Sequence, residues 1–405
     1  MKKIAFVNCY VGHFPWYFKL FLKSCQSNPS VDFYIFTVNR EIEGIPENVK
    51  LIPFSLDIFN QLATQKLGFE IRIDKPYKLC DFKPAYGFLF QEYLSEYDFW
   101  GITDIDVIYG RIREFMTEEL LQENDIICVR HDYITACCVL FKNSAYINTL
   151  FKKSKDYQMV FTSKKNYAFD ETNFEHKLII DRYDIFNVEC EIEAMQHVVL
   201  KEEQSGKLKS HFDFLICEGT DGKLKWSNGV FSYNSKLEIL LYHLINYKEN
   251  IFCNKEMIWN KVPDTFYIDK YNYRSKKTLL IQSQVLYQDH VIPFLWNLRN
   301  RIDMFLSSKI FKKKLKNLQT GRYFYYLSKM HYVVGKNINE ENYIQFDNSD
   351  ELVLFRMMFN KKYFFAENNP KVFKLGNNEN GSYRRFDLIY HKGHSNAYKL
   401  EINSI

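Results

Sequence analysis

Three short apolar runs near the start, residues 4–7 (IAFV), 32–37 (DFYIFT) and 49–54, constrain this chain more than any other feature. Continuous apolar runs of this length mark strands buried on both faces. Between the first two, residues 16–24 (WYFKLFLKS) carry helical spacing. Strand, helix and strand joined by short loops give a parallel sheet covered by helices. In such an open sheet, ligands sit outside the carboxyl ends of the strands. Tyr10 follows the first strand and Thr37 ends the second. In that crevice Tyr10 could stack on a nucleobase and Thr37 could hydrogen-bond it; simple loop polarity explains both equally well.

A fourth apolar run leads into the most acidic of these strand ends. Residues 99–110 read FWGITDIDVIYG and present Asp104 and Asp106. Residues two apart in a strand point the same way, so both carboxylates would share one face with Ile105 turned into the core. Like charges held close repel. A hard cation between them, Mg²⁺ or Mn²⁺, removes that repulsion and can neutralise a diphosphate leaving group. A bare Asp-x-Asp is more often two solvated turn aspartates. Its place behind a buried strand favours the metal reading here.

Several later residues suit the same crevice. In residues 78–90 (KLCDFKPAYGFLF), Asp81 and Lys83 precede an expected helix with Pro84 in its first turn. Asp81 is then an N-cap, or a contact to ribose or base beside a Lys83–phosphate contact; a helix N-terminus favours anions, so both can hold. A helix is expected over 112–123 and strands over 126–129 and 137–141, with Arg130 and His131 between them as acceptor contacts or plain loop residues. Residues 168–174 (AFDETNF) carry Asp170 and Glu171. A carboxylate there could orient an acceptor hydroxyl or take its proton, or only mark a helix N-terminus. Residues 223–233 read as a hairpin turning at Asn228-Gly229. His243 is either structural or a further metal ligand. Lys248 could meet a diphosphate as a point charge.

Bulk properties exclude some classes. Net charge is +5, from 54 basic and 49 acidic residues, which does not argue for nucleic acid and suits anionic substrates or a membrane surface. Nine cysteines at irregular spacing contain no C-x-x-C pair, so zinc and thioredoxin chemistry are not expected. An odd count without a framework fits a reducing cytoplasm. The apolar run at the N-terminus breaks at Asn8 and His13, too early for a secretory signal, and no run is long enough to span a membrane. We therefore expect a cytoplasmic protein. Residues 307–318 (SSKIFKKKLKNL) form a basic amphipathic pattern that suits peripheral contact with the inner membrane surface, or an ordinary solvated helix. The expected domains are 1–250, a helical extension over 251–335 and a small mixed appendage over 336–405.

Taken together, several segments resemble bacterial GT-A-fold glycosyltransferases, specifically the DUF6625 group of polysaccharide gene clusters. The resemblance covers about residues 2–250. It rests on KIAFVNCYVGHFPWYFKLFLKSC, PYKLCDFKPAYGFLF, YDFWGITDIDVIYGRI, NGVFSY and ILLYHLINYK, the third being the most specific. It implies an α/β fold with a GT-A-like, Rossmann-type, mostly parallel sheet flanked by helices; the residues beyond 250 read as a C-terminal helical and mixed α/β appendage. It also implies that Asp104 and Asp106 hold Mn²⁺ or Mg²⁺ on a sugar-nucleotide diphosphate and that His243 is the C-terminal metal-binding histidine. Asp81 and Lys83 would contact the nucleotide, and Asp170-Glu171 would be the acceptor-side carboxylates. Leu244 departs from the aromatic expected after that histidine. The implied activity is metal-dependent sugar transfer from a nucleoside-diphosphate sugar, a UDP-sugar first, to a hydroxyl of a glycan or lipid-linked glycan in cell-surface polysaccharide synthesis. Two alternatives stand beside it. A nucleotidyltransferase-like enzyme would usually show a Gly-rich phosphate loop after the first strand, and residues 10–13 (YVGH) are not one. A non-catalytic glycan- or membrane-binding relative would bind ligands without turnover.

Overall fold

The computed structural model describes residues 1–276, apart from 40–41, 214, 219–222, 234–235, 251–252 and 270–271, and beyond them the backbone of five strands. Its centre is a seven-stranded sheet in the order β3-β2-β1-β4-β7-β6-β8. These strands are β1 Ile4–Tyr10, β2 Val31–Thr37, β3 Val49–Pro53, β4 Phe99–Thr103, β6 Ile126–Cys128, β7 Cys138–Lys142 and β8 Ser210–Phe212, with β5 Val107–Tyr109 lying outside this sheet. β1 pairs in parallel with β2 and β4; β7 is the single reversed strand, antiparallel to both β4 and β6. This is the mostly parallel α/β sheet expected from the apolar runs.

Alternation along β1 explains its two-sided burial. Ala5 and Val7 join a core with Phe59 and Ala63 of helix α2 (Leu56–Leu67), while Ile4 and Phe6 join another with Phe18, Phe21 and Cys25 of helix α1 (Phe18–Gln26). Each fully buried Val, Ile or Phe among them contributes ~1.5–3 kcal/mol. Gly101 on β4 lets the Phe6 ring lie flat against the strand: a Cβ there would sit 2.6 Å from that ring and 2.7 Å from Leu140.

After β4 the chain turns sharply and leaves the main sheet. β5 pairs antiparallel with β13 (Leu241–His243), which pairs in parallel with β9 (Ile216–Glu218). A separate antiparallel sheet contains β10 Leu224–Ser227, β11 Val230–Tyr233, β12 Leu237–Glu238, β14 Thr265–Ile268 and β15 Tyr273–Arg274. The hairpin β10–β11 turns at Asn228 and Gly229 with φ of +48° and +88°, as its Asn-Gly sequence expects. Trp226 of β10 donates its Nε1–H to the Tyr109 carbonyl at 2.9 Å, tying this sheet to β5.

Some local expectations need correction. The helix expected over 112–123 is two short helices, Ile112–Phe115 and Glu118–Glu123, because the Thr117 hydroxyl accepts the Leu120 N–H at 3.2 Å and caps a new start. Asp81 and Lys83 precede a helical turn, as expected, but Asp81 is not its N-cap. They lie within the 3₁₀ run Pro76–Ala85, and the α-helical turn begins only at Tyr86. Residues 168–174 form turns rather than a helix start, with Ala168, Asn173 and Phe174 at φ of +47°, +56° and +66°.

The strands beyond residue 276 are β16 Arg322–Leu327 paired with β17 Met330–Gly335, and a sheet of β18 Lys371–Asn377, β19 Tyr383–Tyr390 and β20 Tyr398–Ser404. The expected run 386–390 lies within β19. The segments 285–306, 307–318, 352–359 and 363–365, which carry the remaining C-terminal expectations, lie outside the described residues. Among the described residues, no helix is long and apolar enough to cross a membrane.

Candidate metal centre

Asp104 and Asp106 occupy the turn between β4 and β5, just past the strand rather than on it. The turn is pinned at several points. Asn8 donates its side-chain amide to the Thr103 carbonyl at 2.6 Å, and the Asp104 N–H donates to the Cys137 carbonyl at 3.0 Å. The Leu244 N–H donates to the Asp106 carbonyl at 2.9 Å. That last bond uses backbone only, so the departure at Leu244 leaves it intact; the Leu244 side chain packs in the core around Trp226. Ile105 is buried in the core, as expected.

Strand register supplies the third group. β13 pairs with β5 so that His243 faces Val107, one residue from Asp106. His243 Nε2 then lies 3.4 Å from Asp106 Oδ2. Among the described residues, Asp104, Asp106 and His243 form one group whose ligand atoms all lie within 4.8 Å of one another. Two carboxylates and an imidazole are a hard-to-intermediate donor set that suits Mn²⁺ especially, and Mg²⁺ through the oxygens.

Two lysines flank the carboxylates. Lys248, on the short helix Ile245–Glu249, pairs with Asp106 Oδ2. Lys83 is buried and donates to Asp104 Oδ1 at 2.8 Å and to the Ala136 carbonyl at 3.1 Å, with Asp170 Oδ2 3.8 Å away. Burial pushes the Asp106 carboxyl up, but His243 and Lys248 beside it more than offset this and hold it well below the usual range. Asp170 behaves oppositely: burial raises it well above the usual range, Lys83 does not overcome that, and Glu171 adds to it. His243 is raised despite burial, by Cys137 and Asp106 beside it.

The other expected residues divide. Tyr10 stands at the end of β1 with its ring stacked on Phe14 at 5.4 Å, and both Lys248 and Asp106 act on its partly buried hydroxyl. Asp170 reaches the centre through Lys83. Glu171 is held away by the loop before β7: its Oε1 accepts the Ala136 N–H at 2.8 Å.

Thr37 and Asp81, expected to contact the nucleotide, are buried and hydrogen-bonded within the protein. Thr37 is fully buried and its hydroxyl accepts the Asn39 N–H at 3.2 Å. Asp81 pairs with buried Lys78 at 2.7 Å and accepts the N–H groups of Tyr167 and Phe169 at 3.0 and 2.9 Å, so it holds the 167–174 turn instead. Arg130, expected at an acceptor, is spent inside the protein in a bidentate pair with Asp132 at 2.9 and 2.7 Å. The neighbouring His131 side chain is only 8% exposed and lies 3.8 Å from Asp132.

Residues 6–277 match a family described as a family of unknown function, DUF6625. The chain belongs to the DUF6625 family. No curated protein matches it. Among solved structures, this DUF6625 chain is similar to the galactosyltransferase LgtC in complex with donor and acceptor sugar analogs, with a TM-score of 0.27 and 13% identity over 52% of this chain and 86% of that one. It is similar to mouse xyloside xylosyltransferase 1 with a TM-score of 0.29 and 12% identity over 52% of this chain and 84% of that one. It is also similar to the glycosyltransferase GlyE of Streptococcus pneumoniae TIGR4, with a TM-score of 0.23 and 15% identity over 52% of this chain and 44% of that one.

Two residues of the DUF6625 site escaped the sequence reading. Glu218 Oε1 lies 2.7 Å from His243 Nδ1. The Tyr17 ring lies 5.9 Å from the Lys248 ammonium. Neither carries a local signal. Glu218 is one acid in a short strand, and Tyr17 is one aromatic at a helix start.

Proposed function

We propose that this DUF6625 protein is a metal-dependent glycosyltransferase that uses a nucleoside-diphosphate sugar. The observation that carries this reading is the convergence of Asp104, Asp106 and His243 at the carboxyl end of β4, flanked by Lys83 and Lys248. Asp104, Asp106 and His243 would hold Mn²⁺ or Mg²⁺. Such an ion, when bound, offsets charge on the diphosphate. Lys248, a third exposed and already at Asp106, adds a point charge for the leaving phosphate. Tyr10 at the end of β1 offers its ring to the base of a UDP-sugar. Lys83 holds Asp104 in place and links it to Asp170.

In the transfer, the acceptor oxygen bonds to the anomeric carbon as the bond from that carbon to the diphosphate oxygen breaks. Asp170, 3.8 Å from the Lys83 ammonium, takes the acceptor hydroxyl proton as its carboxylate if configuration inverts. Glu171 positions the loop that carries it. The acceptor we propose is a hydroxyl of a glycan or lipid-linked glycan in cell-surface polysaccharide synthesis, reached at the cytoplasmic face of the inner membrane. The support for this finer part is the resemblance of residues 2–250 to polysaccharide-cluster enzymes.

A panel of nucleotide sugars with Mn²⁺, with and without chelator, tests the proposal. We expect one sugar nucleotide to be turned over to nucleoside diphosphate, and chelator to abolish this. Chelator-insensitive turnover would remove the metal from the mechanism. Tight binding of a sugar nucleotide without any turnover, with acceptor glycans present, would favour the non-catalytic relative.

A further inference from the structure

We propose that Glu218 is a positioning residue for the metal centre, fixing which nitrogen of His243 is turned toward the ion. The inference rests on the reading of Asp104, Asp106 and His243 as ligands, and it does not depend on which sugar is moved. β9 and β13 run in parallel, and their register sets Glu218 directly beside His243. His243 Nδ1 lies 2.7 Å from Glu218 Oε1, while Nε2 lies 3.4 Å from Asp106 Oδ2. An ionised carboxylate only accepts hydrogen bonds, so Nδ1 is the nitrogen that keeps its proton. With a cation at Asp104 and Asp106, Nε2 is the nitrogen that would give up its proton and offer a lone pair to it, while Nδ1 stays protonated against Glu218.

Glu218 is itself held. Its second oxygen accepts Arg130 Nη1–H at 3.2 Å. Arg130 is clamped by Asp132 through two bonds at 2.9 and 2.7 Å and lies over the Tyr133 ring at 4.3 Å. The result is a row of alternating charge from Asp132 through Arg130 and Glu218 to His243. Each member leaves the next with one stable orientation. This gives Arg130, the residue expected at an acceptor, a place two contacts behind His243 instead. Without the carboxylate, the imidazole is free to exchange tautomers and to turn Nδ1 inward. A carboxylate behind a ligating histidine typically changes metal affinity 10–100-fold.

The test titrates Mn²⁺ alone into the full chain and reads free Mn²⁺ by electron paramagnetic resonance. Nitrogen coupling to bound Mn²⁺ is read by spin-echo modulation. Wild type should bind Mn²⁺ and show a directly bonded imidazole nitrogen. Glu218→Gln should bind about tenfold more weakly and Glu218→Leu about a hundredfold. At saturating Mn²⁺, Glu218→Leu should lose the bonded-nitrogen signal, which a merely structural role would leave in place. Wild-type affinity and nitrogen coupling in both variants would overturn the positioning role while leaving the metal centre standing. Failure of wild type to bind Mn²⁺ would overturn the centre itself and this role with it. If Glu218→Leu does not fold, the isosteric Glu218→Gln decides by affinity alone.

Discussion

Two parts of the expected site met opposite fates. At the β4–β5 turn, Asp104 and Asp106 keep oxygens directed at a shared point, and His243 arrives from β13 to join them. At the second strand end and the 3₁₀ run, Thr37 and Asp81 have their hydrogen-bonding capacity spent inside the fold. The contrast teaches what separates a strand-end residue that joins a cluster of ligand atoms from one whose bonds are spent inside the fold. Both kinds are polar, and Thr37, Asp81 and Asp106 are all buried, Asp104 less so. Asp81 meets a lysine and backbone N–H groups that satisfy it fully. Asp104 and Asp106 also pair with lysines, Lys83 and Lys248, but they converge with an imidazole on one spot, an arrangement that gains from a cation placed among them.

The sharpest way to break this comparison is to remove one carboxylate from each part. Asp106→Asn should lower sugar-nucleotide turnover about a thousandfold, since an ion's charge stabilisation is worth several kcal/mol. The variant should keep the wild-type circular dichroism spectrum; retained turnover would end the metal role. Asp81→Ala should instead act on stability. It strands the buried Lys78 ammonium, and breaking such a pair costs about 3–5 kcal/mol, to be read by urea unfolding. A fully stable Asp81→Ala that loses only nucleotide affinity would reverse its assignment.

Asp170→Asn probes the link between the two parts. Its kcat should fall about a hundredfold with KM little changed, as for loss of a general base. An equal loss in Glu171→Gln would move the base to Glu171.

Acid sensitivity gives a smaller effect with a defined sign. The folded Asp106 carboxyl is held below its usual 3.8 by His243 and Lys248 against burial. A depressed carboxyl contributes stability that is present above the unfolded value and is lost as pH falls toward the folded one. Metal-free wild type should therefore lose more stability than Asp106→Asn as pH drops from about 5 to 3. Equal losses, followed by chemical unfolding, would mean that the pair with His243 and Lys248 contributes nothing. The smallest expected effect is Thr37→Val. It removes one acceptor for the Asn39 N–H and should shift stability by about 1 kcal/mol or less, with no change in KM for the sugar nucleotide.

The legible features were the local ones. Apolar runs announced β1–β4, Asn228-Gly229 announced its hairpin, and Asp-x-Asp announced the acidic turn after β4, because each depends on neighbours in sequence. Glu218 was not legible because its meaning comes from lying beside His243, 25 residues away, through a parallel register. The partners of Asp81 were not legible for the same reason. Its backbone partners lie 86 and 88 residues on, and nothing in KLCDFKP points to them. The helix at 112–123 failed on a single hydroxyl, since Thr117 serves as well for a new N-cap as for a helix interior. Arg130 shows the limit from the other side: a basic residue near the site was found, but only its partners reveal that it points inward.

The most direct measurement is a calorimetric titration of UDP into the full chain, with and without Mn²⁺, for wild type and Asp106→Asn. Wild type should bind UDP strongly only when Mn²⁺ is present, and Asp106→Asn should lose that dependence together with the tight binding. UDP binding of equal strength with and without Mn²⁺ in wild type, unaltered by Asp106→Asn, would contradict a metal-held nucleotide at the end of β4.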